Sequence, residues 1–204
     1  MQPLESTRAS LIWAIRDSQN AGAWIDFYRI YASLVQHFLR RFGLSDADAD
    51  DVTQEVLLLA QRSLQTGAYD ASRGGFRKWL FGIARRRALA ALRARCRRTR
   101  AQWVPPEGGV DLVDQLEDER GEQAHRELWE QEWRYAVLDD AMRHVEGQVG
   151  DKAFRAFTLH AINQWPVDRV AEHLGIAAAS VYVYKHRVLN AIKERVARLD
   201  SDER

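Results

Sequence analysis

Arg77, Phe81 and Arg85 recur at intervals of four, so two guanidinium groups and an aromatic ring share one stripe of a helix. That stripe turns well away from Phe76, Leu80 and Ile83, whose spacing marks the core side. An aromatic ring pointing outward between two cations suits polyanion chemistry: bases stack on the ring while the guanidinium groups hold phosphates. Trp79 borders both faces and fits either the core or a stacking platform. The preceding loop, Thr66 to Gly75, is dense in turn residues and could present Tyr69 or backbone groups to an unstacked base. Further upstream, Asp48, Asp51 and Glu55 fall at i, i+3 and i+7, with Gln54 beside them. Acids in a first helical turn offset the positive helix end, but Glu55 lies beyond that influence. The ridge reads as a docking surface for a basic partner, with a plain solvated face as the alternative.

A second set of residues stands near the other end of the chain. Ala171, Gly175 and Val181 follow A-x3-G-x5-V, the spacing of a helix-turn-helix. A small residue lets two helices approach, glycine suits the turn, and the branched residue plugs one helix into the other. Lys185, His186, Arg187 and Lys193 then place a cationic helix where a recognition helix meets the major groove. An ordinary helical hairpin is the alternative.

Helices must position all of these residues, because helical periodicity dominates and no convincing strand alternation occurs. The expected fold is all-α, with two helical domains, residues 8–100 and 128–200, joined by an acidic linker over 101–127. Leu11, Ile12 and Ile15 open an amphipathic segment that continues past Asn20-Ala21-Gly22 to the Gly43 stop. Ser45, with Asp48 three residues later, starts a helix that runs to about Gln65. A long helix is expected from Phe76 to about Arg98. Pro105-Pro106-Glu107-Gly108-Gly109 is the strongest punctuation and begins the linker. Pro166 suits the first turn of the helix that opens the helix-turn-helix.

Net charge is +1 over 204 residues, but it is strongly segregated. Arg85 to Arg100 holds eight arginines and no acid, whereas Glu107 to Glu132 holds ten acids against Arg120 and Arg126. Such blocks cancel in the total yet create separate surface fields, and the basic one suits phosphate. No apolar run is long enough for membrane insertion, and the N-terminus does not read as a secretory signal. The single cysteine, Cys96, excludes an intramolecular disulfide and fits a reducing cytoplasm.

With these motifs in order, the chain resembles bacterial RNA polymerase sigma factors of the extracytoplasmic-function group. Asp48 to Glu55, DADDVTQE, resembles that family's D-A-E-D-L-V-Q-E. The resemblance implies that Asp48, Asp51, Gln54 and Glu55 dock on the β′ clamp helices of core polymerase, with the β subunit as a further contact. Phe76 to Arg85, FRKWLFGIAR, is similar to F-R-x-W-L-F-x-I-A-R, which begins the helix that contacts the −10 element. It implies −10 contacts from Tyr69, Arg77, Lys78, Trp79, Phe81, Arg85 and Arg86, with the Thr66 to Gly75 loop capturing a flipped base. Val170 to Ile176, VAEHLGI, resembles I-A-E-x-L-G-I and implies a −35 reader using Ser180, Tyr182, Val183, Tyr184, His186 and Arg187. Arg86 and Ala90 replace a common asparagine and aspartate, and Tyr182 and Tyr184 replace usual cations. Tyrosine cannot make arginine's bidentate guanine contact, so different promoter preferences are expected; packing of one tyrosine inside the domain is the alternative. Many members of that family are held by an anti-sigma factor and some are switched by phosphorylation, so the resemblance admits an anti-sigma factor or a regulatory kinase as partner; Thr53, within the docking helix but in no kinase motif, would repel its acidic neighbours if phosphorylated.

Three other readings compete. A helix-turn-helix regulator that never engages polymerase explains only the C-terminal half. A helical adaptor explains neither basic element. An enzyme would need a nucleophile, and Cys96 lies among arginines that favour its thiolate. No HExxH, Walker or GxSxG pattern accompanies it, so no catalysis, cofactor or metal is expected.

Overall fold

The computed structural model describes residues 12, 14, 15, 20–100 and 119–201, and all regular structure among them is helical. The fold is all-α. In chain order the elements are α1 (Ala21–Phe42), α2 (Asp46–Gln65), a 3-10 turn (Ala71–Arg73), α3 (Phe76–Arg100), α4 (Glu119–Gln148), α5 (Asp151–Phe157), a π turn (Thr158–Ile162), α6 (Val167–Leu174) and α7 (Ala178–Ser201). The chain divides into two compact units, one ending at Ala136 and the other spanning Val137–Asp202. Leu11 and the Pro105 to Gly109 punctuation lie outside the described residues.

In the first unit, local chemistry sets the helix ends. The Asn20 side chain accepts the Ala23 N–H at 3.1 Å and starts α1. Gly43 ends it at φ 111°, where a side chain would be strained, and the Leu44 N–H donates to the Leu39 carbonyl at 3.1 Å. Ser45 then caps α2: its Oγ accepts the Asp48 N–H at 3.2 Å and donates to the Asp48 carboxylate at 2.7 Å. Apolar residues recurring at helical spacing bury Phe27, Leu34, Val35, Phe38 and Leu39 of α1 against Val56, Leu57 and Ala60 of α2 and Leu80, Ala84 and Ala88 of α3. An aromatic cluster closes one end, with Phe76 edge-on to both Phe27 and Tyr31 at 5.7 and 5.3 Å.

Residues 119–127, expected within the linker, are helical, and α4 packs into the first unit as far as Ala136. The physical reason is an aromatic pair four residues apart. Trp129 and Trp133 are 1% and 2% exposed, and they give the acidic segment an apolar face.

In the second unit, Ala141, Val145, Val149, Ala153 and Phe157 pack with Val188 and Ile192 of α7. A buried ion pair pins the same helices: Arg195 donates to Asp140 from Nε at 3.1 Å and from Nη2 at 2.8 Å. The π turn shows its register in the Asn163 N–H donating to the Thr158 carbonyl at 2.9 Å.

Candidate nucleic-acid interface

α2 exposes an acidic edge because its acids divide between two faces. Asp46 and Asp50 turn back to α1, where Arg40 meets them at 2.8 and 3.6 Å and Gln36 donates to Asp50. Asp51, Gln54 and Glu55 are exposed and Asp48 is half-buried, so the four predicted docking residues line the outer side. Glu55 lies 3.6 Å from Arg87 of α3, which partly neutralises that end of the ridge. Thr53 faces the core instead. It is 4% exposed and donates to the Ala49 carbonyl at 2.7 Å, so the expectation of an accessible phosphate acceptor there is corrected.

Ahead of α3, Asp70 organises the loop. Its carboxylate accepts the Ser72 N–H at 2.9 Å and the Ser72 hydroxyl at 2.7 Å, and these bonds lower its pKa. Gly74 follows at φ 137°, a conformation that admits the turn into α3. Loop and helix enclose a cleft of about 260 Å³ lined by Asp70, Arg73, Lys78, Trp79, Gly82 and Arg86. Three cations, a half-exposed indole and glycine backbone make it suitable for a phosphate and a stacked base. Arg73 carries no signal in the sequence pattern, because its place in the cleft depends on the loop's path.

Two aromatic expectations on this face are overturned. Tyr69 is 7% exposed and packs edge-on against Phe76 and tilted on Trp79, while its hydroxyl donates to the Gly74 carbonyl at 3.3 Å. It supports the cleft from beneath. Phe81 does not point outward; it is 5% exposed and lies 5.8 Å from the Phe38 ring and 5.7 Å from that of Trp129. The flanking cations face α4 as well. Arg77 lies 3.4 Å from Glu130 and over the Trp133 ring at 4.9 Å, and Arg85 lies 3.6 Å from Glu122. An outward stripe therefore exists on α3, but α4 lies on it. The charge-segregated sequence held the clue: acids interspersed with two tryptophans, opposite a helix of arginines.

The helix-turn-helix forms as its spacing requires. Gly175 adopts φ 60°, and the Ile176 N–H donates to the Ala171 carbonyl at 3.0 Å. Val170 and Val181 are fully buried across the joint with Ala156. Pro166 stands just before α6 as its cap. Along α7, Tyr182, Val183, His186 and Arg187 are exposed, whereas Ser180 is half-buried. Tyr184 packs against both core clusters, so of the two tyrosines it is the one turned inward, and its expected place on the open face is corrected. Tyr182 stays open and edge-on to His160 at 5.8 Å.

Residues 27–98 match the family described as sigma-70 region 2. Over 84 residues the chain is 30% identical to the ECF RNA polymerase sigma factor RpoE of Cereibacter sphaeroides. That match covers 41% of this chain and 45% of the relative, so it spans less than half the length of the curated protein. Among solved structures, CnrH in complex with the cytosolic domain of CnrY is matched at 19% identity and a TM-score of 0.34, covering 94% of this chain and 97% of that one.

Proposed function

From the match of residues 27–98 to sigma-70 region 2 and the 30% identity over 84 residues to an ECF sigma factor, we propose that the chain is a transcription initiation factor of the extracytoplasmic-function group, working by recruitment and strand capture without covalent chemistry. Asp48, Asp51, Gln54 and Glu55 dock on the β′ clamp helices of core RNA polymerase, with the β subunit as a further contact. The cleft side of α3, with Lys78, Trp79 and Arg86, holds the non-template strand of an opened −10 region, and Arg77 and Arg85, which face α4, join that contact once uncovered. Tyr182, Val183, His186 and Arg187 meet a −35 duplex, with Ser180 at the edge of that contact. The observation that carries this reading is the division of one region 2 unit into two exposed chemistries: an acidic edge on α2 and a cationic cleft with an indole on α3.

Promoter DNA supplies phosphates and unstacked bases to the cleft, and a basic protein surface suits the acidic edge. This activity belongs in the cytoplasm, and no helix among the described residues is long and apolar enough to cross a membrane. An anti-sigma factor or a kinase acting elsewhere than Thr53 remains the proposed class of external control. Reconstituted transcription with core polymerase and a randomised promoter library tests the proposal. Enrichment of paired −35 and −10 elements is the expected result. Duplex binding without co-purification of core polymerase would instead make the chain a helix-turn-helix regulator.

A further inference from the structure

The segment of α4 from Glu122 to Trp133 covers the α3 stripe with chemistry resembling that of a nucleic-acid strand. Its carboxylates stand where phosphates would, with Glu122 near Arg85 and Glu130 near Arg77. Its indoles stand where bases would, with Trp129 against Phe81 and Trp133 under Arg77. The cover extends over α1: Trp129 is edge-on to Phe38 at 5.1 Å, Trp133 lies along Tyr31 at 6.1 Å, and His125 lies on Phe42 at 4.0 Å. Glu132, 5% exposed, accepts from Arg41 at 2.7 Å.

We propose that residues 122–133 form an internal latch that competes with the promoter strand for Arg77, Phe81 and Arg85, so that the chain holds its own strand-binding face closed until the segment is displaced. The proposal rests on the reading of this face as a strand-binding surface. The charged contacts are the weak part of the latch. Among its contacts to the stripe's cations are ion pairs of 3.4 and 3.6 Å with acids more than 40% exposed, which water and salt weaken. Within its packed face, His125 Nδ1 and Trp129 Nε1 are buried without a hydrogen-bond partner among the described residues, so docking leaves polar groups unsatisfied. A strand carrying several phosphates offers the same cations a denser charge. Displacement would also expose Phe81 between its arginines, the arrangement that suits base stacking.

The test uses the full chain and a labelled pool of single-stranded DNA of randomised sequence. Glu122→Gln with Glu130→Gln keeps the shape of α4 and removes its charge at the stripe, and should tighten binding about fivefold or more. In an Arg77→Ala, Arg85→Ala background the same pair of Gln changes should give no gain; a gain that persists there would mean binding elsewhere and would overturn the latch. In a Cys96→Ser background, Phe42→Cys and His125→Cys joined by a short bifunctional thiol-alkylating reagent should weaken binding about fivefold or more relative to the same protein unjoined. Equal binding by wild type, the Gln variant and both forms of the cysteine variant would overturn the latch while leaving the strand-binding reading intact. Absence of strand binding by every form, free or assembled with core polymerase, would overturn that reading and the latch with it.

Discussion

On α3 the aromatic centre of the cationic stripe is 5% exposed beneath Trp129, whereas on α7 Tyr182 and Val183 keep 52% and 62% of their surface open. The sequence pattern of both helices places an aromatic among cations. The two differ in what lies over each of them among the described residues. After α3 comes an acidic segment bearing two large apolar side chains, which can satisfy charge and bury area together. α7 has no comparable cover among the described residues, and its inward tyrosine, Tyr184, leaves the outer face small enough to remain solvated. A surface that reads as functional in sequence is therefore open or closed according to whether another segment complements both its charge and its apolar area.

The sharpest way to break this comparison is to remove the ring that covers one surface and the ring that projects from the other. Trp129→Ala should cost about 3 kcal/mol of stability in the first unit, at the low end for a buried tryptophan because its Nε1 lacks a partner. Tyr182→Ala should stay within about 0.5 kcal/mol. Urea unfolding of both variants checks the contrast, and similar losses would mean that Tyr182 is not the open residue described. Buried charge gives the next effect. Arg195→Ala removes two donated hydrogen bonds from Asp140, 3% exposed, and should cost about 3 kcal/mol in the second unit. Arg41→Ala, which takes from the buried Glu132 of α4 its 2.7 Å partner and leaves it His37 at 3.9 Å, should cost about 2 kcal/mol because Arg41 is itself half exposed. Hydrogen exchange over residues 122–133 distinguishes local loosening of α4 from global unfolding in that variant.

A smaller effect is expected from pH. Burial, and then the nearby Arg85, hold the His125 imidazole below its ordinary 6.5, against an opposing pull from Glu122. The packed helix thus favours the neutral ring. Its stabilising contribution is complete above pH 6.5 and is lost as the pH falls from there through the lower value of the folded state. Protection of residues 122–133, corrected for intrinsic exchange, should therefore fall on acidification, and His125→Leu should flatten the change. Protection that rises on acidification would contradict the described burial. Gly175→Ala closes the series: a side chain at φ 60° costs about 1 kcal/mol, read as a lower melting temperature of the second unit.

Much of the fold is legible in the sequence because it is local. The Ser45 cap, the Gly43 stop, the Asp70 turn and the A-x3-G-x5-V joint each depend on residues within a few positions of one another. So does the outward set of the α2 acids, which helical spacing alone separates from the apolar side. Tyr69 is buried against expectation because the path of its loop folds it onto Phe76 and Trp79, and Phe81 for a longer-range reason. Helical geometry says which residues share a stripe, but not which other segment comes to lie on it. Thr53 departs from expectation for a related reason: its hydroxyl is satisfied by the Ala49 carbonyl one turn back, so a polar residue could take a core position.

The sequence by itself determined the helices, their caps, the recognition turn and the segregation of charge, because periodicity, turn chemistry and net charge are properties of neighbouring residues. Only the tertiary structure decided that the acidic segment becomes a packed helix, that Arg77 and Arg85 meet Glu130 and Glu122, and that Tyr184 rather than Tyr182 turns inward. Those outcomes depend on long-range complementarity of shape and charge, in which dozens of residues separate the partners and burial of large rings selects one pairing among many.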